Sequence, residues 1–178
     1  WGENATSNSK NQNFILNEAW AKYEFTKKTS IKIGRQMLSY DDERLIGGLD
    51  WAMQGRSFDA AKGVFKINKN STIETVVTYN NDDNDSNDSP ENEIYDISDG
   101  GEKAKSLQII HYQYKNENKF QFSSIALNSV LQNTSSGIHY DLLTLGINAK
   151  KYFENFGIFG SAYYQTAKNT NSQSKSAY

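Results

Sequence analysis

The chain has 178 residues, a formal net charge of −2 at pH 7 and no cysteine. This length corresponds to one domain, and the lack of cysteine excludes a disulfide framework and a thiolate metal site. The charge balance gives no indication of nucleic-acid binding, and no apolar run approaches the ~20 residues of a membrane-spanning helix. Because the chain starts at Trp1 and stops in a polar stretch, we expect it to be an internal piece of a longer protein.

Alternation of apolar and polar residues predicts eight β-strands, while helical periodicity is not evident. The run ILNEAWAKYEF places Ala19, Ala21 and Tyr23 on one face and Trp20 and Lys22 on the other, because successive strand side chains point to opposite faces. Seven further runs alternate in the same way. The predicted strands span residues 14–25, 30–38, 58–67, 72–79, 107–114, 119–128, 141–150 and 157–167.

The connections between these strands alternate between short and long. The short ones, TKKT, NKNS, KNEN and YFENF, are typical of hairpin turns. In a meander they all fall at one end of the sheet, and transmembrane β-barrels show this asymmetry, with short periplasmic turns and long extracellular loops. We therefore predict an all-β, antiparallel up-and-down meander that is one segment, residues 1–178, of a transmembrane barrel. Loops 39–57 and 80–105 are expected to be extracellular, and 1–13 and 168–178 to be loop ends.

Strand length and face composition fit a bilayer, since a tilted strand needs ~9–11 residues to cross it. The expected convex, lipid-facing residues are Ala61, Phe65, Val77, Tyr79, Leu143, Leu145 and Ile147. The expected concave residues are Lys62, Lys66, Glu74, Thr78, Thr144 and Asn148. Two alternatives remain open: a soluble β-sandwich that binds carbohydrate through exposed aromatic residues, and a self-contained small eight-stranded outer-membrane barrel.

Two other features of the sequence are candidate sites of chemistry. Residues 82–102 hold nine of the 21 acidic groups, and an oxygen-rich cluster suits Ca²⁺; the candidate ligands are Asp82, Asp83, Asp85 and Asp88. Their spacing lacks the EF-hand Gly and terminal Glu, so we interpret this stretch as a solvated loop.

The two histidines, His111 and His139, accompany no nucleophile motif and are interpreted as ordinary barrel residues. We predict no enzyme activity and no cofactor.

All three arginines of the chain lie within residues 34–59, GRQMLSYDDERLIGGLDWAMQGRSFD. This stretch resembles a signature of the alginate-export family of outer-membrane proteins. The resemblance covers residues 1–63 well, whereas residues 64–178 match only in their meander pattern. The matching motifs are Trp1-Gly2-Glu3, Glu18-Ala19-Trp20, Gly34-Arg35-Gln36, Arg44-Leu45-Ile46-Gly47, Asp50-Trp51 and Gly55-Arg56-Ser57-Phe58-Asp59.

The resemblance implies a bacterial outer-membrane barrel of many more than eight strands, so the strands present here should form an open, curved sheet. It also implies a porin with an arginine-lined lumen that passes alginate, another anionic saccharide or small solutes passively. The expected partners are membrane lipids or lipopolysaccharide and an anionic oligo- or polysaccharide, with no nucleic acid. The expected substrate path comprises Arg35, Arg44, Asp50, Trp51, Arg56, Asp59 and Lys62.

Arginine suits such a path because its planar guanidinium pairs bidentately with carboxylates and stays charged. We expect residues 39–57 to fold back over or into the lumen. An alternative is that the same residues form a salt-bridged lock that holds a loop without contacting solute. Strict alternation also places Arg35 on the lipid-facing side with Ile31 and Ile33, which requires either a bulge beyond Gly34 or a strand that has already left the bilayer.

Overall fold

The computed structural model describes residues 18–48, 57–79, 102–133, 139–169 and 174–177. They form one antiparallel sheet in which each strand is hydrogen-bonded to the next in chain order. Within these ranges no helix is long and apolar enough to cross a membrane. The strands are β1 (Ala19–Glu24), β2 (Thr29–Gln36), β3 (Phe58–Lys66), β4 (Ser71–Tyr79), β5 (Glu102–Lys115), β6 (Phe120–Asn133), β7 (His139–Tyr152), β8 (Gly157–Asn169) and β9 (Ser174–Ala177).

The eight predicted strands and their meander order are confirmed, and the structure adds to them. Strands β5, β6 and β7 have 14 residues each, several more than the alternation predicted. A ninth strand, β9, lies in the range 168–178 that was predicted as a loop end. The added ends are sequences such as EKAKS and SKSA, in which no large apolar residue alternates with polar ones. Period-two analysis has nothing to detect there.

The two faces of the sheet carry the predicted side chains. All seven residues of the expected convex set are exposed, and the strand register places them on one face. On the other face Thr78, Thr144 and Asn148 are buried. The described residues form a single sheet, with no second sheet to cover the apolar face. The β-sandwich alternative is therefore wrong.

The sheet is open. Strand β8 pairs with β9 over Gln165–Lys168, and no described residue of β1 pairs with β8 or β9. A closed eight-stranded barrel needs hydrogen bonds between its first and last strands, since closure is what removes the sheet edges. The prediction of an open sheet is confirmed, in preference to the small closed barrel.

Residues 37–48, which we call the inward loop, cross the concave face of the sheet from β3 to β8. The ring of Tyr40 lies 5.7 Å from Lys62 Nζ on β3, and Tyr163 of β8 donates a hydrogen bond to Asp42 at 3.2 Å. These contacts fit the predicted curved sheet, with the inward loop on its concave side.

The inward loop and the concave face share one apolar core. Leu38 and Ile46 of the loop are each 1% exposed, and the loop is closed by a backbone hydrogen bond from Tyr40 N to Ile46 O. Burying large aliphatic side chains stabilises by about 1.5–3 kcal/mol each. Their partners in the sheet are Phe58, Ala60, Val76, Leu107, Ile109, Ile125 and Leu127.

Candidate functional site

A single carboxylate fastens the inward loop to three strands. The side chain of Asp41 is 6% exposed. Its Oδ1 accepts hydrogen bonds from His111 Nε2 at 3.1 Å and from Ser123 Oγ, and its Oδ2 accepts one from Asn148 Nδ2 at 3.1 Å. These donors come from β5, β6 and β7 respectively. We call this arrangement the Asp41 clamp.

The environment of the clamp keeps its carboxylate ionised. Burial by itself raises the pKa of Asp41, because removal from water penalises the charged form. Hydrogen bonds from His111 and Ser123, together with electrostatic attraction to His111 and Lys150, outweigh burial and hold the pKa of Asp41 below its usual value. A buried charge with three donors is the arrangement in which such a group is tolerated.

Arg44 extends from the same loop on the concave side. Its Nη2 lies 3.3 Å from Asp42 Oδ2, and its guanidinium carbon lies 5.9 Å from the centre of the Tyr163 ring. The Arg44 side chain is 60% exposed. Of the predicted path residues, Arg44 therefore has a charge that reaches open space on the concave side.

Arg35 lies on the convex face of the sheet, away from Arg44. Its guanidinium binds Asp59 through two bonds, at 3.1 and 2.9 Å, and the register places both residues on the face of Ile33 and Ala61. The register of β2 shows no shift at Gly34, so no bulge turns Arg35 inward. Instead, Arg35 is held by an ion pair across β2 and β3.

Gly34 does have a special conformation. Its φ is +121°, a value that favours glycine. A Cβ at this position would lie 2.4 Å from the carbonyl oxygen of Ala19, so glycine permits β1 to approach β2 closely. Gly34 pairs with Trp20, one of the residues that face the concave side of β1.

A row of lysines crosses the concave face of the first three strands. Lys22 pairs with Lys32, and Lys32 pairs with Lys62; directly paired residues of neighbouring strands share a face. Lys22 Nζ binds Glu24 at 2.6 Å, and Lys62 Nζ binds Glu74 at 2.8 Å. We call these three residues the lysine row.

The middle member of the lysine row lies against an indole. Lys32 Nζ is 4.0 Å from the centre of the Trp20 ring, within the range of a cation–π contact. Trp20 itself is 47% exposed. Among the described residues, no carboxylate forms an ion pair with Lys32. The row therefore presents a cation over the face of a partly exposed indole.

Several predicted site residues lie outside the described ranges. Among the described residues, no group of three or more His, Asp or Glu could hold a metal ion. The residues outside the described ranges are Asp50, Trp51 and Arg56 of the expected path and Asp82, Asp83, Asp85 and Asp88 of the expected cation loop.

Sequence reasoning missed two parts of this surface. The alternation of β1 already placed Trp20 and Lys22 on the polar face, but the register that brings Lys32 and Lys62 into line with them cannot be read from single strands. The Asp41 clamp gave no local signal, because Asp41 and His111 are 70 residues apart. His111, interpreted as an ordinary barrel residue, is one of the groups that hold the loop.

Comparison with known proteins gives one match. The model of a protein family described as alginate export matches residues 3–176 of the chain. The match extends far beyond residues 1–63, on which the motif resemblance depended. No curated protein and no solved structure matches the chain.

Proposed function

Because the chain belongs to the alginate export family, we propose that it forms part of the wall of an outer-membrane channel through which anionic saccharides pass passively. The family is one of outer-membrane β-barrel transport proteins and is not an enzyme class. In this proposal the convex face meets lipid, the concave face meets the lumen, and the short turns lie on the periplasmic side.

The lysine row is the observation that carries the proposal. Its three ammonium groups extend from adjacent strands, whose backbones are about 4.8 Å apart. Lys22 and Lys62 bind Glu24 and Glu74, and Glu18, which accepts a hydrogen bond from Trp20 Nε1, lies near enough for the charge of Lys32 to lower its pKa. Among the described residues Lys32 has no carboxylate within ion-pair distance, so it is the cation of the row that can pair with a uronate carboxylate.

Trp20 refines the class of solute. An exposed indole offers a flat apolar surface on which the apolar face of a sugar ring can lie, and Lys32 places a cation next to that surface. A sugar that bears a carboxylate satisfies both groups at once, whereas a neutral sugar or a small inorganic anion satisfies one. The preferred solute is therefore an oligo- or polyuronate.

The inward loop determines which part of the concave face is available. It covers β5, β6 and β7, where His111, Ser123 and Asn148 are buried, and leaves β1 exposed along its length. The solute path consequently follows β1 and the parts of β2 and β3 that hold Lys32 and Lys62. Arg44 lies apart from these strands, next to Tyr163 of β8, and contributes a separate cation on the concave side.

Planar-bilayer recording of the intact protein tests the proposal. The double variant Lys32→Gln with Lys62→Gln should lose much of its anion preference and weaken current block by oligouronates about fivefold or more, the effect of losing ~1 kcal/mol of binding. The matched control, Lys27→Gln with Lys28→Gln, removes two lysines from the β1–β2 turn and should leave both measurements unchanged. Equal effects of the two pairs would contradict the proposal.

A second pair of variants tests the arginine prediction. The double variant Arg44→Gln with Arg56→Gln should have a lower anion preference than the wild type if these residues face the path. If only thermal stability falls, the arginines lock the loop and the lysine row alone lines the path.

A further inference from the structure

The convex face of the sheet contains a groove that the proposed transport function does not use. It has a volume of about 500 Å³ and lies over β6. Small side chains, Ser124 and Ala126, form its floor. The walls are formed by larger side chains from the neighbouring strands, namely Ile110, Tyr112, Leu145, Ile147 and Tyr164. We call this feature the β6 groove.

A short series of polar side chains lies at one end of the groove. Asn128, two residues beyond Ala126 on the same face, donates through Nδ2 to Gln108 Oε1 at 2.7 Å. Gln108 in turn donates through Nε2 to Ser106 Oγ at 2.8 Å. Polar groups on a lipid-facing surface are costly unless they are hydrogen-bonded. Among the described residues no donor reaches Asn128 Oδ1, so this acceptor is available at the end of the groove.

The next row of the same face is charged. Val130, two residues beyond Asn128 on β6, pairs with Asp141 of β7, and Asp141 pairs with Lys168 of β8. Since charges are cheap on this face only near the membrane surface, Asp141 and Lys168 mark the edge of the apolar band next to β6. Asn128 therefore lies just inside that edge, at the depth where headgroups join acyl chains.

The direction of the groove fits a lipid chain. Its floor follows β6 from Ala126 to Ser124, and Asn128 lies two residues from that floor on the side of the long loops. A linear chain that begins at Asn128 would follow β6 toward the short turn, away from the membrane surface.

We propose that the β6 groove binds one acyl chain of lipopolysaccharide, with Asn128 Oδ1 accepting a hydrogen bond from the chain's linkage to the headgroup. The lipid A part of lipopolysaccharide carries amide-linked and hydroxylated chains, which supply N–H and O–H donors at that depth. Phospholipid ester groups supply acceptors alone, and an amide oxygen cannot pair with an acceptor. The inference rests on the outer-membrane location in the proposed function.

The shape of the groove favours a lipid chain over a second copy of this protein. The furrow is one strand wide, and the exposed ridges beside it, Ile110 and Ile147, are 58% and 52% exposed. A protein interface needs a matching surface that buries about 1,000 Å² or more. A single flexible chain fills a narrow furrow without such a match.

Native mass spectrometry of the intact detergent-solubilised protein tests the inference, with purified lipid A and phosphatidylethanolamine as probes. Wild-type protein should retain lipid A in preference to phosphatidylethanolamine. Ala126→Leu fills the groove and Asn128→Leu removes the acceptor; each should weaken lipid A binding about five- to tenfold, the effect expected for losing one hydrogen bond or an equivalent apolar contact. Asn128→Leu makes the surface more apolar, so simple hydrophobic adhesion would predict tighter binding.

Two controls on the same face separate the groove from the rest of the surface. Ala61→Leu on β3 and Thr75→Val on β4 should bind lipid A as the wild type does, and circular dichroism should show the same β-sheet content in every variant. Equal binding by all variants, or no preference for lipid A, would overturn the inference. A dimer that is lost in Ala126→Leu would instead assign the groove to a second copy.

The same preparations distinguish this inference from the proposed function. The groove variants should keep the wild-type anion preference in planar bilayers, because the groove lies on the opposite face from the lysine row. If the wild-type protein shows the expected anion preference but does not prefer lipid A, the lipid inference is wrong and the transport proposal stands. If the wild-type protein prefers lipid A but shows no anion preference, the transport proposal is wrong and the lipid inference stands.

Discussion

The concave face of the sheet differs sharply between its two halves. Over β5, β6 and β7 it is covered by the inward loop, and its residues, such as Ile109 and Ile125, are 2% and 3% exposed. Over β1 the same face is open, and Trp20 is 47% exposed. One half is packed like the interior of a globular domain, while the other is a charged surface exposed to solvent.

In the proposed function, this contrast separates stability from transport. The covered half gains its stability from apolar packing and the Asp41 clamp, without relying on exposed ion pairs, which contribute little. The open half leaves its lysines accessible, and in the proposal they contact the solute. Variants in the covered half should therefore change loop docking, and variants in the open half should change selectivity.

The largest effect is expected from Asp41→Ala, which removes the acceptor of the clamp. Breaking a buried charged arrangement by removing one partner costs about 3–5 kcal/mol, because His111, Ser123 and Asn148 lose their common acceptor. Hydrogen exchange should report it: the amides of Tyr40 and Glu43, both hydrogen-bonded within the loop, should exchange at least about a hundredfold faster.

The neighbouring Asp42→Ala variant is the matched control for that experiment. The Asp42 side chain is 25% exposed and interacts with Arg44 and Tyr163 rather than with three buried donors. Its replacement should accelerate exchange by less than about tenfold, equivalent to ~1 kcal/mol. Similar acceleration by the two variants would show that the clamp has no special importance for the covered half.

Acidification should destabilise the docking of the inward loop less than Asp41→Ala does. The pKa of Asp41 is lower in the docked loop than in an undocked chain, so the stabilisation is complete above the ordinary Asp pKa of about 4. It is lost as the pH falls through the lowered value. Loop docking, followed as channel conductance, should be constant from pH 7 to pH 5 and should weaken below about pH 4.

Asp41→Asn isolates this titration from that of other carboxylates. The variant keeps the shape of the side chain and has no charge to lose, so the conductance change below about pH 4 should disappear or become much smaller. An unchanged acid response in Asp41→Asn would assign the response to another group.

Gly146→Ala should have a smaller effect on the covered half than Asp41→Ala. An added Cβ would lie 2.6 Å from Tyr163 Cδ1 and 2.9 Å from Ile125 Cγ2. Crowding of a packed site typically costs 1–3 kcal/mol, and displacement of Tyr163 would also weaken its bond to Asp42. Gly160→Ala on β8 is the control, because no atom lies within 4 Å of its added Cβ. Thermal unfolding in detergent should show a lower Tm for Gly146→Ala than for Gly160→Ala.

The sequence predicted the sheet better than it predicted the site. Period-two patterns depend on adjacent residues, so the strands, their order and the convex set from Ala61 to Ile147 could be predicted without a partner strand. The lysine row depends on register between strands, and the Asp41 clamp depends on a loop crossing the whole concave face. Arg35 shows the limit clearly: its alternation placed it correctly with Ile33, but its role as the ion-pair partner of Asp59 required the β2–β3 register.

The Asp41 clamp also has a consequence for how the chain folds. Asp41 lies near the start of the sheet, and its most distant strand partner, Asn148, comes 107 residues later. Contacts of such long sequence separation form late, since the intervening chain must first be ordered. The clamp cannot close until β7 has joined β6, so the loop remains undocked while the first strands assemble. The docking of residues 37–48 therefore follows the assembly of the sheet through β7.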